Sequence, residues 1–158
     1  MRLEIIQPFI NAADAVFGHN QSWAKLEDLR METHAYRKYG IAAIVTLEGD
    51  VEGRVVLDLD MATARKIAES VCANEQEAAA MIEEAVCELA NQVIGNAVTV
   101  LNDSGYRFRV QPPRITASEE VTMGSASTEA LVVRFETSSG PVFLNIALRA
   151  RTEEYAGG

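Results

Sequence analysis

The sequence predicts an α+β domain: an antiparallel sheet with a long central helix and two shorter helices packed on one face. Three observations carry that expectation. Two hairpin signals, EGDVEG at 48–53 and SSGP at 138–141, each sit between runs that alternate apolar and polar residues. A helical period holds without a break from Asn74 to Asn102. The predicted order of helix, two strands, two helices and three strands suits an antiparallel sheet with its helices on one side.

In chain order, residues 8–17 read as the first helix, with Pro8 at its first position, Gly18 just past its end, and Ile6, Ile10, Ala13 and Phe17 on one face. Residues 18–40 are polar and irregular and read as loop with at most a short strand. Ile41–Leu47 and Arg54–Leu59 form the first hairpin, and in its second strand Val55, Leu57 and Leu59 mark one buried face. Asp60 caps a helix over 61–72. Asn74 followed by Glu77 resembles a capping box for the long helix, which stops at Asp103–Gly105. At 1.5 Å per residue that helix would be about 40 Å long. Arg107–Thr116 is strand-like but broken by Pro112-Pro113, 117–128 is a Ser/Thr-rich loop, and Leu131–Thr137 with Val142–Arg151 make the second hairpin. The 158 residues read as one domain with a flexible tail from about 152.

Composition excludes several functions. A formal net charge of −9 with scattered arginines argues against a nucleic-acid or anionic-membrane binder. The first residues lack the charge and apolar run of a signal peptide, and no window of about 18 apolar residues could span a bilayer, so a cytoplasmic protein without membrane insertion is expected. Two cysteines, Cys72 and Cys87, fit a reducing compartment and read as core or boundary residues. His19 and His34 have no ligand neighbours at metal spacing, so no metal site is expected.

One stretch stands out. In EEAVCELANQVIGN, residues 83–96, Glu84, Glu88, Asn91 and Gly95 share a helical face opposite Ile82, Val86, Leu89 and Val93. Cys87 and Ile94 flank the stripe and make it look narrow. Asn and Gly are poor choices inside a helix that merely meets water, where Gly costs about 1 kcal/mol relative to Ala.

ELAN followed by GN, with PFINAADAVF at 8–17 and QPPRI at 111–115, resembles the CheC/CheX/FliY family of chemotaxis phosphatases, and the CheX branch in particular. The resemblance runs from about residue 5 to 150. The family motif is an acidic or serine residue, then Glu four residues later and Asn three beyond that, matched here by Glu84, Glu88 and Asn91. The first position is usually Asp or Ser, so Glu84 departs from it by a longer side chain. A single copy of the motif is present, as in CheX. The resemblance implies dephosphorylation of a phosphorylated CheY-like response regulator, with Glu88 and Asn91 catalytic and Glu84 and Gly95 contacting the partner. It implies no cofactor of the chain's own, the Mg²⁺ being held by the regulator, and a homodimer built through sheet contacts. The alternative is a CheX-like module that binds a regulator or a chemotaxis or flagellar component without catalysis.

Overall fold

The computed structural model describes residues 2–122 and 129–151. The elements are α1 (Leu3–Asn20), β1 (Ala24–Glu32), β2 (Tyr36–Arg37), β3 (Ile41–Gly49), β4 (Val51–Leu59), α2 (Met61–Glu69), α3 (Glu75–Ala80), α4 (Ile82–Asp103), β5 (Phe108–Val110), β6 (Arg114–Ile115), β7 (Glu120–Val121), β8 (Ala130–Thr137) and β9 (Gly140–Ala150). The main sheet is antiparallel, ordered β1-β8-β9-β4-β3-β5, with β6 also paired to β3. The expected α+β architecture is therefore present, with α1 and α4 lying against each other and against one sheet face.

That inner face is built by alternation. Val45, Val55, Leu57, Leu144, Ile146 and Leu148 are all buried in one cluster with Ile5, Phe9, Phe17, Val86, Leu89 and Val93 of the helices. Burying a side chain of this size contributes about 1.5–3 kcal/mol. The cluster thus supplies the force that presses α4 down and turns its opposite face outward.

Several boundaries differ from the sequence reading. The first helix begins at Leu3, so Pro8 lies inside it and not at its first position. Pro8 lacks the N–H that would meet the carbonyl of Glu4. Full burial of Ile5 and Ile6 offsets that loss and draws the extra turn into the helix. Gly18 does not end the helix either, which runs on to Asn20. The second helix stops at Glu69, short of 72.

Residues 24–32, read as loop, are a nine-residue strand. They form the sheet edge and pair only with β8, so most of their side chains are exposed, and the alternation of Ala24 and Leu26 is out of step by one residue with that of Leu29 and Met31, at a bulge between Leu26 and Asp28. The long helix is two helices. Met81, at φ −107° and ψ 8°, breaks the ladder between α3 and α4, leaving α4 22 residues and about 33 Å long. Asn74 caps α3 as expected, its side chain accepting from Glu77 N–H at 2.8 Å, while Glu77 accepts from Ala73 N–H at 3.2 Å.

The outer face of the sheet is covered too. Val56 and Asp58, which alternate with the inward row Val55, Leu57 and Leu59, are fully buried as well. Tyr36, Ala42, Ile44, Val56, Val121 and Val132 form a second cluster beneath the small β2–β7 pairing. Residues 120–121 are thus a strand within the expected loop; the rest of that loop from 123, and the tail from 152, lie outside the described residues.

Candidate functional site

Glu84, Glu88, Asn91 and Gly95 all lie on α4 and are all exposed. Ile82, Val86, Leu89 and Val93 on the opposite side are buried, as their spacing predicts. The polar face is broader than the sequence suggested. Buried Ile94 and half-buried Cys87 and Val98 bound it on one side, but Gln92, Asn96, Thr99 and Val100 extend it on the other. Asn96, read from the sequence as a packing or capping residue off the stripe, is exposed in mid-helix.

Two contacts order this face. Gln92 Nε2 donates to Glu88 Oε1 at 3.2 Å, and Asn20 Nδ2 at the end of α1 donates to Gln92 Oε1 at 3.0 Å. Asn20 also donates to the carbonyl of Val16 at 2.8 Å. Glu88 is therefore held at one oxygen, and among the described residues the other accepts no hydrogen bond. Sequence reasoning did not pick out Gln92 or Asn20, because 72 residues separate them and only packing of α1 on α4 brings them together. At Gly95 a Cβ would meet nothing within 4 Å, so the helix backbone is open to close approach. Thr99 Oγ1 donates to the Gly95 carbonyl at 3.0 Å.

The geometry suits positioning rather than covalent catalysis. Among the described residues no cluster of His, Cys, Asp or Glu could hold a metal ion. The Cys87 thiol, half-buried beside the stripe, is pushed up by burial and then by Glu83, which disfavours the thiolate a nucleophile needs. Among the described residues no helix is long and apolar enough to cross a membrane.

Solved structures with the same fold include several chemotaxis proteins. A CheC-like superfamily protein from Shewanella sp. PV-4 superposes with a TM-score of 0.79 at 18% identity, covering 95% of this chain and 100% of that one. Chemotaxis protein CheX from Desulfovibrio desulfuricans gives 0.72 at 15% identity, covering 94% and 99%. A CheX from Borrelia burgdorferi, solved as a CheX–CheY–BeF3–Mg²⁺ complex, gives 0.70 at 29% identity, covering 94% and 99%. None of the curated proteins matches the chain. The fold is thus the one shared by CheC-like and CheX chemotaxis proteins. Within it, the family model described as chemotaxis phosphatase CheX matches residues 41–136, and the chain belongs to that family.

Proposed function

We propose that this chain accelerates hydrolysis of the aspartyl phosphate of a CheY-like response regulator by holding a water in line with the scissile P–O bond. The observation that carries the reading is the joint exposure of Glu88 and Asn91 on the outward face of α4, one turn apart and beside a bare Gly95. Solution of the Borrelia burgdorferi CheX with CheY supports a partner of that kind.

Phosphoryl transfer leaves a protein mainly positioning and electrostatics to contribute. The Asn91 carboxamide oxygen accepts a hydrogen bond from the attacking water while its NH₂ donates elsewhere, so no group with a pKa near 7 is required. Glu88 uses the oxygen left free by Gln92 to pair with the regulator's active-site lysine. Glu84, one turn earlier, extends the acidic face toward the partner. The Mg²⁺ belongs to the regulator, and this chain supplies none of its ligands.

The test is phosphate release from a phosphorylated receiver domain with and without the protein. Faster release supports the reading; tight binding with unchanged release would favour the non-catalytic module instead. Gly95 gives a separate handle. Gly95→Ala should stabilise the isolated fold by up to about 1 kcal/mol in urea unfolding, because the added methyl meets open space and helix propensity improves. Gly95→Leu should weaken regulator binding, read by titration, with little loss of stability.

Self-association is also proposed, through β1. The other edge of the sheet is short and interrupted at Pro112-Pro113 between β5 and β6, a common way to blunt an edge. By contrast β1 offers nine residues, among them Leu26, Leu29 and Met31, each at least 40% exposed. Leu29→Lys combined with Met31→Lys should shift the mass measured by light scattering from dimer to monomer. An unchanged dimer would rule out this edge.

A further inference from the structure

Glu88 stands at the end of a chain of side-chain hydrogen bonds that begins on another helix. Asn20, the last residue of α1, donates from Nδ2 both to the Val16 carbonyl at 2.8 Å and to Gln92 Oε1 at 3.0 Å. Gln92 Nε2 donates in turn to Glu88 Oε1 at 3.2 Å. Gln92 is half-buried, whereas Glu88 is exposed.

The direction of every bond in this chain is fixed at its first step. A backbone carbonyl can only accept, so the NH₂ end of Asn20 must face Val16. The same NH₂ carries a second hydrogen, which draws the oxygen of Gln92. The Gln92 carboxamide is thereby turned with its own NH₂ toward Glu88. Reversed end for end, Gln92 would set an acceptor against the Glu88 carboxylate and a donor against the Asn20 donor, and both bonds would be lost. Each residue selects the orientation of the next, and the last is a carboxylate, which only accepts.

Stability alone gives little reason for this chain. A polar pair at i and i+4 adds only weakly to a helix. The two helices already meet through one apolar cluster that includes Phe9, Val16, Val93 and Ala97. What the chain restricts is Glu88. An exposed Glu has several rotatable bonds, and a partner that pairs with it must freeze them on docking.

We infer that Gln92 and Asn20 are positioning residues for regulator recognition, holding the Glu88 carboxylate in one direction before the regulator's lysine arrives. This rests on the role proposed above for Glu88. Part of the side-chain ordering is then complete in the free protein, which strengthens docking without adding a contact. The end of α1 thus contributes to the site although no part of the motif lies on it.

The test compares wild type, Asn20→Ala, Gln92→Ala and the double variant. KM and kcat are read for phosphate release from a phosphorylated receiver domain, with affinity measured by titration alongside. Each single variant should raise KM and weaken affinity by about three- to tenfold, the scale of one long side chain freed. Because Asn91 is untouched, kcat should hold, and urea unfolding midpoints should stay near wild type. Since Asn20 acts through Gln92, the double variant should be no worse than Gln92→Ala. In the free protein, NMR of the Gln92 side-chain NH₂ should show its resonances moving toward those of an unbound amide in Asn20→Ala. Wild-type KM and affinity in either single variant, additive losses in the double, or an unmoved Gln92 NH₂ would overturn this inference and leave the role of Glu88 standing. A wild-type protein that neither binds the receiver nor speeds release would overturn that role, and this inference with it.

Discussion

The Asn91→Ala protein should release phosphate from a phosphorylated CheY-like regulator no faster than the regulator does alone, a loss of about a hundredfold or more in the accelerated rate. Asn91 is exposed, so the variant should keep its helical signal and its unfolding midpoint. Regulator binding should survive, because Glu84, Glu88 and Gly95 are untouched. Glu88→Lys should differ in kind: it places a cation where the regulator's lysine must come, and should lower binding and release together. Wild-type release from Asn91→Ala would refute the water-holding role while leaving the partner assignment standing.

The second large effect is on stability and lies far from α4. Asp58, fully buried, accepts from Tyr36 Oη at 2.7 Å, Tyr39 N–H at 2.6 Å and Gly40 N–H at 3.2 Å. It fastens the 36–40 turn across the outer sheet face, where Tyr39 stacks on Phe143 with ring centroids 4.1 Å apart. Asp58→Ala would strand a buried phenol and two backbone donors. At about 1–3 kcal/mol for each donor left without a partner, the cost should be about 3 kcal/mol or more. For a chain of this size that lowers Tm by about 10 °C.

The pH dependence of Asp58 has a definite sign. Burial pushes its carboxyl above the ordinary aspartate range, and the three hydrogen bonds pull it only part of the way back. The folded state then holds the proton more tightly than the unfolded one. This group's contribution is therefore full below the ordinary aspartate pKa and declines as pH rises through the raised value. Urea midpoints of wild type and Asp58→Asn, compared from acid to neutral pH, should show wild type losing ground as pH rises. An opposite trend would mean that the hydrogen bonds outweigh burial.

Elements that bury one face were legible in the sequence, and those held by context were not. The hairpin of β3 and β4, the caps at Asp60 and Asn74 and the inward row on β9 follow from periods and turn residues, and the structure has them. Strand β1 escaped because it is short of apolar residues as an edge strand and its alternation is interrupted by a one-residue bulge between Leu26 and Asp28. The break at Met81 escaped because neither Gly nor Pro marks it. Burial of Val56 and Asp58 escaped because their cover, Tyr36 and Val121, comes from segments 85 residues apart in register.

By itself, the sequence determined that Glu84, Glu88, Asn91 and Gly95 would share one face of a helix, since 3.6 residues per turn leaves no alternative. It also determined that the opposite face would be buried. Only the tertiary structure decided how wide the exposed face is, which oxygen of Glu88 is already engaged, and that Asn20 of α1 anchors the side chain engaging it. Those facts depend on contacts between residues far apart in the chain, and a local period carries no information about them.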